Sequence, residues 1–172
     1  MSRPKYNIVG LDPSLTSFGI ALANGTTKVI KPKTKGGERL THLESEVGTA
    51  CLLADFVVIE GYSYGSKFKR EALGELGGVI RKKLWELGIP FVEIPPTKLK
   101  MFATGNGKAD KEEMKDAATS LLGADDDLTS DEYDALWLQE VGLHLAGGST
   151  RMPPTKCTEA LKGLELPEEI EK

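Results

Sequence analysis

Apolar positions fall into two kinds of run. Short unbroken runs, Ile8-Val9-Gly10-Leu11, Phe18-Gly19-Ile20-Ala21-Leu22 and Phe56-Val57-Val58-Ile59, have the length and β-branched content of buried strands. Longer stretches repeat apolar residues at steps of three and four, as in Leu40, Leu43, Val47, Ala50 and Leu53, and predict helices. In chain order the pattern predicts strands over 5–12, 17–23 and 26–30, a helix over 38–53, a strand over 55–60 and a helix over 70–87. A strand over 89–94, a short helix from Pro95 through Phe102, and helices over 110–122 and 131–145 follow. Asn24-Gly25 signals a hairpin, and Gly88 stops the long helix. Thr129-Ser130 caps the last helix, whose first-turn acids suit the helix dipole. Residues 55–60 are apolar on both faces, which predicts a central parallel strand.

Three antiparallel strands, a helix, then parallel strands alternating with helices make an α/β chain. The expected fold is a ribonuclease-H-like mixed five-stranded sheet flanked by helices. At 172 residues the chain suits one domain over 1–148, with a loosely packed tail over 149–172 and a short helix near Thr158–Leu161.

Two of the predicted strands finish in a carboxylate, Asp12 and Glu60. Carboxyl ends of parallel strands line the crevice where ligands bind, so both acids belong on one rim. Asp131 and Asp134 open a helix three residues apart and share a face, with Cβ atoms roughly 5–6 Å apart. Four carboxylates at one place repel unless cations hold them, and oxygen-only ligation suits Mg²⁺ acting on phosphates. The plainer alternative is that Asp131 and Asp134 help the helix start, with Asp125-Asp126-Asp127 a solvated loop. Glu132 is expected to face away from the group.

Composition adds constraints. With 40% apolar and 28% charged residues the chain reads as an ordinary soluble protein. No apolar stretch reaches membrane-span length and the first residues lack a signal-peptide pattern, so a cytoplasmic protein with no membrane partner is expected. Cys51 and Cys157 have no metal spacing and read as reduced thiols. Net charge is −4, unevenly spread: residues 1–124 hold 18 Lys+Arg against 14 Asp+Glu, and residues 125–172 hold 4 against 12. A local basic face is therefore compatible with the acidic total. Lys31, Lys33 and Lys35 lie in a basic loop that could touch a nucleic-acid arm, with a floppy, solvated loop as the default reading. The stretch Gly105-Asn106-Gly107-Lys108 fails as a phosphate loop because Ala109 stands where Ser or Thr is needed, so it reads as a turn. His42 and His144 fall out of register with the acids.

Four segments, 8–22 (IVGLDPSLTSFGIAL), 56–67 (FVVIEGYSYGSK), 94–114 (IPPTKLKMFATGNGKADKEEM) and 130–146 (SDEYDALWLQEVGLHLA), together resemble RuvC-type Holliday junction resolvases of the smaller, phage-encoded style. The resemblance spans nearly the whole core. By position it implies that Asp12, Glu60, Asp131 and Asp134 are catalytic acids and metal ligands, and that Lys100 and Lys111 attend the scissile phosphate. It implies two Mg²⁺ per site with Mn²⁺ as a substitute, branched DNA and four-way junctions as substrate, and a homodimer in a bacterial or phage-infected cell. The products would carry 5′-phosphate and 3′-hydroxyl ends. It also implies a base-stacking aromatic three residues after the second acid. Ser63 stands there, which brings forward Tyr62, Tyr64 and Phe68, and DNA contacts are expected from these with Lys67, Lys69, Lys98 and Lys108. Gly74, Gly77 and Gly78 would admit the same helix of a second subunit. Alternatives are a flap or fork nuclease and a non-catalytic junction binder. An ATP-binding fold of the actin and sugar-kinase type, suggested by LDPSLTSFGIAL, lacks room for its second domain.

Overall fold

A computed structural model of the chain describes residues 5–61, 67–147, 159–168 and 170, with the side chains of 67–70 also outside the description. Five strands, β1 (Ile8–Asp12), β2 (Phe18–Ala21), β3 (Thr27–Ile30), β4 (Phe56–Glu60) and β5 (Phe91–Ile94), form one sheet in the order β3-β2-β1-β4-β5. The first three are antiparallel neighbours, while β4 runs parallel to β1 and β5 parallel to β4. Helices α1 (Gly36–Cys51), α2 (Lys67–Glu86), α3 (Pro96–Thr104), α4 (Lys111–Ala117) and α5 (Ser130–Leu145) complete the expected order. One departure is local: the helix predicted over 110–122 ends in a π-helical turn, Ala118–Leu122, closed by Gly123 in the left-handed conformation.

Strand alternation makes two cores. Val9, Leu11, Val57 and Ile59 face α1 and α2, where Leu43, Val47, Leu76, Ile80 and Leu84 are buried. Ile8, Phe56 and Val58 face the other way, onto Phe102, Trp137, Leu138 and Val141 of α3 and α5. Both faces of β1 and β4 are covered, as central parallel strands require.

The seat of α5 positions the site. A Cβ on Gly10 would lie 2.2 Å from the Ala135 carbonyl oxygen, and one on Gly19 would lie 2.1 Å from that of Asp131. Only glycine at these two points lets the helix backbone lie directly on β1 and β2. Gln139 then locks the register, since its buried Nε2 donates to the carbonyls of Ile8 (2.8 Å) and Leu22 (2.6 Å). Trp137 Nε1 donates to the Met114 carbonyl and ties α5 to α4.

The described end of the chain differs from the loose tail expected. Ala160 and Leu161 are buried in the α5-side core, and Lys98 Nζ donates to the Lys162 carbonyl. Burial of these two apolar side chains anchors this part of the chain on the core. Among the described residues no helix is long and apolar enough to cross a membrane.

Candidate active site

Leu11 lies opposite Ile59 in the β1–β4 ladder, so Asp12 and Glu60 end neighbouring parallel strands at the same level, one strand spacing (about 4.8 Å) apart. Each is two residues beyond a position facing α5, Gly10 and Val58, and therefore projects to the α5 side. Asp131, in the first turn of that helix, and Asp134, one turn further on, reach the same rim.

A reciprocal capping box fixes this turn. The Thr129 side chain accepts from the Glu132 backbone N–H, and the Glu132 carboxylate accepts from the Thr129 N–H at 2.8 Å. The same carboxylate accepts from Thr27 Oγ1 at 2.8 Å, which pins the helix start to edge strand β3. Glu132 is thus a structural anchor rather than the outward-facing bystander expected. Ser17 Oγ donates to Asp131 Oδ2 at 2.5 Å. Ser17 is itself held by the β1–β2 turn, where Ser14 Oγ accepts from the backbone N–H groups of Thr16 and Ser17.

The electrostatics are those of like charges forced together. Asp12 is only 8% exposed, and burial holds its carboxyl well above the usual range, reinforced by Glu60, Asp134 and Asp131. Burial, then Asp134, pushes Glu60 up to about 7, while Lys100 pulls the other way. Asp134 is raised to about 6 by burial and Asp131, with Lys100 and Lys111 opposing. Asp12 and Glu60 act directly on each other's proton affinity, Glu60 raising that of Asp12. Among the described residues no lysine or arginine forms a salt bridge with any of the four acids. Lys111 Nζ instead donates to Ser130 Oγ at 3.3 Å.

A buried carboxylate without a counter-cation is costly, and a hard divalent cation is what an all-oxygen donor set accommodates. The residues therefore fit such an ion. Among the described residues no three acid, His or Cys side chains already close into a ready-made ligand cage. The acids are neighbours that act on one another's charge.

The other expected residues fall as follows. Lys100 is half-buried beside Glu60 and Asp134, and Lys111 is exposed beside Asp134. Lys108 is exposed, whereas Lys98 is engaged by the end of the chain. Tyr62, Ser63 and Tyr64 lie outside the described residues, as do the side chains of Lys67, Phe68 and Lys69, whose backbone opens α2. His42 is exposed, and His144 packs edge-on against Phe102, so neither reaches the acids. Burial pushes the Cys51 thiol up to about 12, in keeping with an inert thiol. Gly105 is the left-handed cap of α3, a turn as expected. Sequence reasoning missed Ser17, Thr27, Gln139 and the two seat glycines. Only the Thr129–Glu132 spacing carried a readable signal.

No protein-family model matches the chain. Among individual proteins, a "Crossover junction endodeoxyribonuclease RuvC" of Anaeromyxobacter sp. (strain K) is 45% identical over 168 residues, covering 85% of this chain and 84% of the relative. RuvC of Anaeromyxobacter sp. (strain Fw109-5) is 29% identical over 161 residues, covering 86% and 78%. In three dimensions the chain is similar to Thermus thermophilus RuvC in complex with a Holliday junction substrate, with TM-score 0.67, 22% identity, and 78% of this chain and 90% of that one covered. A second structure of the same protein gives TM-score 0.66 at 21% identity, covering 83% and 98%. These structural likenesses are ones of fold, and the fold is ribonuclease-H-like.

Proposed function

The chain belongs to the RuvC family of crossover junction endodeoxyribonucleases, and from that premise we propose that it resolves four-way DNA junctions by metal-dependent phosphodiester hydrolysis. The observation that carries the reading is the gathering of Asp12, Glu60, Asp131 and Asp134 at the C-terminal ends of the central strands β1 and β4, with Lys100 and Lys111 beside them. Asp12 and Asp134 hold the cations, and Glu60 and Asp131 complete the ligand set. Two Mg²⁺ per site are proposed, with Mn²⁺ as a working substitute. Bound divalent ions supply activation of the attacking water and neutralisation of charge on the leaving oxygen.

The chain's own groups do the rest. Asp12 and Glu60, whose proton affinities are raised in the metal-free chain, would be ionised wherever they hold a cation. Ser17 keeps Asp131 turned towards the rim, and the capping box keeps Asp131 and Asp134 at fixed height above Asp12. Lys111 is the group we assign to charge developing on the phosphate, and Lys100 to orienting it beside Glu60. Lys108, Lys98 and, from the segment after Glu60, Tyr62, Tyr64, Lys67, Phe68 and Lys69 are proposed DNA contacts, Lys98 also donating to the Lys162 carbonyl. The core nuclease unit is proposed to span 1–148, with 149–172 appended.

Resolution needs two cuts, so we propose a homodimer whose paired sites nick opposing strands and leave ends with 5′-phosphate and 3′-hydroxyl. Gly74 and Gly78 support this reading: a Cβ on either would meet nothing within 4 Å, so α2 offers a flat strip to a second helix. Gly77 is buried instead, in a small cleft beside Glu60. A cytoplasmic setting in a bacterium or phage-infected cell is proposed, in keeping with a DNA substrate and bacterial relatives.

The test is incubation with a mobile four-way junction, with and without Mg²⁺, following each strand. Paired, symmetric, Mg²⁺-dependent nicks are expected. Cutting of flaps or forks in preference to junctions would move the assignment to a general branched-DNA nuclease, and binding without cutting would leave a junction-binding protein.

A further inference from the structure

The connection from β3 to α1, Lys31-Pro32-Lys33-Thr34-Lys35, alternates basic and uncharged residues. Lys31, Lys33 and Lys35 are exposed, while Pro32 and Thr34 are turned inward, Thr34 with its Oγ1 buried. That alternation belongs to extended backbone, and Lys35 is indeed extended (φ −133°, ψ 169°). Alternate residues of an extended segment lie about 6.6 Å apart, the same order as successive phosphates of one nucleic-acid strand.

The segment also lies at the working end of the sheet. Ile30 stands opposite Phe18, and the next residue of β2, Gly19, stands opposite Asp12. The chain therefore leaves β3 at the level of Asp12, two strand spacings or about 10 Å to the side. Two contacts hold it there. Arg39 Nη1 donates to the Leu15 carbonyl at 3.1 Å, bracing the start of α1 on the β1–β2 turn, and Thr27 Oγ1 donates to Glu132 at the head of α5. Lys28, by contrast, is tied to Glu46, whereas among the described residues Lys31, Lys33 and Lys35 have no salt-bridge partner. Lys100 and Lys111 flank the acids from the α3 and α4 side, so the two basic groups bracket the acidic rim.

We propose that Lys31, Lys33 and Lys35 form a rail that grips the phosphate backbone of one DNA arm on the β3 side of the acidic rim. The rail rests on the reading of the site as a DNA-cutting centre. It explains how a chain of net charge −4 holds a polyanion: these three lysines form no salt bridge among the described residues and stand beside the acidic rim, Lys31 within electrostatic reach of Glu132.

The test is equilibrium binding of a four-way junction to the full chain in EDTA, from 50 to 200 mM salt. The triple variant Lys31→Ala, Lys33→Ala, Lys35→Ala is compared with wild type and with Lys82→Ala, which lies at the far end of α2. The triple variant is expected to bind about tenfold or more weakly at the upper salt, with a log–log salt slope shallower by about 2–3. The Lys→Arg triple should restore both, and Lys82→Ala should change neither. Unchanged affinity and slope in a folded alanine triple would overturn the rail, as would an equal loss in Lys82→Ala. The two proposals fail separately. Wild type that binds junctions with the full slope but never cuts them with Mg²⁺ removes the resolvase reading and leaves the rail. Wild type that binds no DNA at any salt removes the rail whatever its nuclease activity.

Discussion

Two charged regions of this molecule are built on opposite terms. Between α1 and α2, Glu44, Lys82, Lys83 and Glu86 form an exposed network in which each charge has a partner of opposite sign. At the edge of β1 and β4, Asp12, Glu60, Asp131 and Asp134 crowd together, Asp12 deeply buried, and raise one another's proton affinity. The first arrangement is nearly neutral for folding because solvent screens exposed pairs. The second opposes folding of the metal-free chain and persists because the glycine seat, Gln139 and the capping box over-determine the position of α5. Charges that stabilise are balanced and wet; charges that perform chemistry are left incomplete.

The comparison is broken most severely at Asp12. Asp12→Asn is expected to lower junction cutting by at least about 10²-fold, the scale of losing one preorganised electrostatic group at a reacting centre. The same variant, melted in EDTA at pH 8, should be as stable as wild type or more so, because a repelling charge has gone. A large drop in its melting temperature would mean that the acid serves the fold. Next in size is the seat: Gly19→Ala drives a methyl onto the Asp131 carbonyl and should cost about 1–3 kcal/mol in denaturant unfolding, with cutting reduced as the acid is displaced.

Proton linkage sharpens the contrast. Asp12, Glu60 and Asp134 bind protons more tightly folded than unfolded, so in EDTA their contribution favours folding below pH about 4 and is lost as pH rises through about 6–7. Metal-free stability should therefore fall across that window in melts at fixed salt. The gain from added Mg²⁺ should grow over the same interval, since the ion competes with protons for the same oxygens. A smaller effect is expected at Ser17. Ser17→Ala removes one donor from Asp131 and should slow cutting by roughly three- to tenfold in single-turnover assays, a barrier change of about 1 kcal/mol. The smallest belongs to the balanced region: Lys82→Ala should leave both melting temperature and cutting rate where they were.

The same division decides what could be read from the sequence. β1 and β4 are legible because each is an apolar run ended by an acid, and their parallel pairing follows from apolar character on both faces. The turn Asn24-Gly25 and the cap at Thr129 carry local signals, so the hairpin and the start of α5 are legible as well. Asp131 and Asp134 follow from helical spacing. What holds the acids in place is not local. Ser17 meets Asp131 across 114 residues, and Gln139 meets Ile8 across 131, contacts that exist only once α5 lies on the sheet. Gly10 and Gly19 look like ordinary strand glycines until a helix backbone rests against them. Glu132 reads as one more surface acid, although its spacing from Thr129 marks a capping box. Over 149–172 a loosely packed tail is the sequence expectation, but Ala160 and Leu161 are buried against the α5-side core.

The most direct measurement is a crystal of the full chain soaked in Mn²⁺, read by anomalous difference density. The expected result is density within about 2.0–2.3 Å of Asp12 carboxylate oxygens and of at least one acid at the head of α5. Density confined to exposed acids such as Asp125, Asp126 and Asp127, with none at Asp12, would contradict the assignment of the buried acids as a cation site.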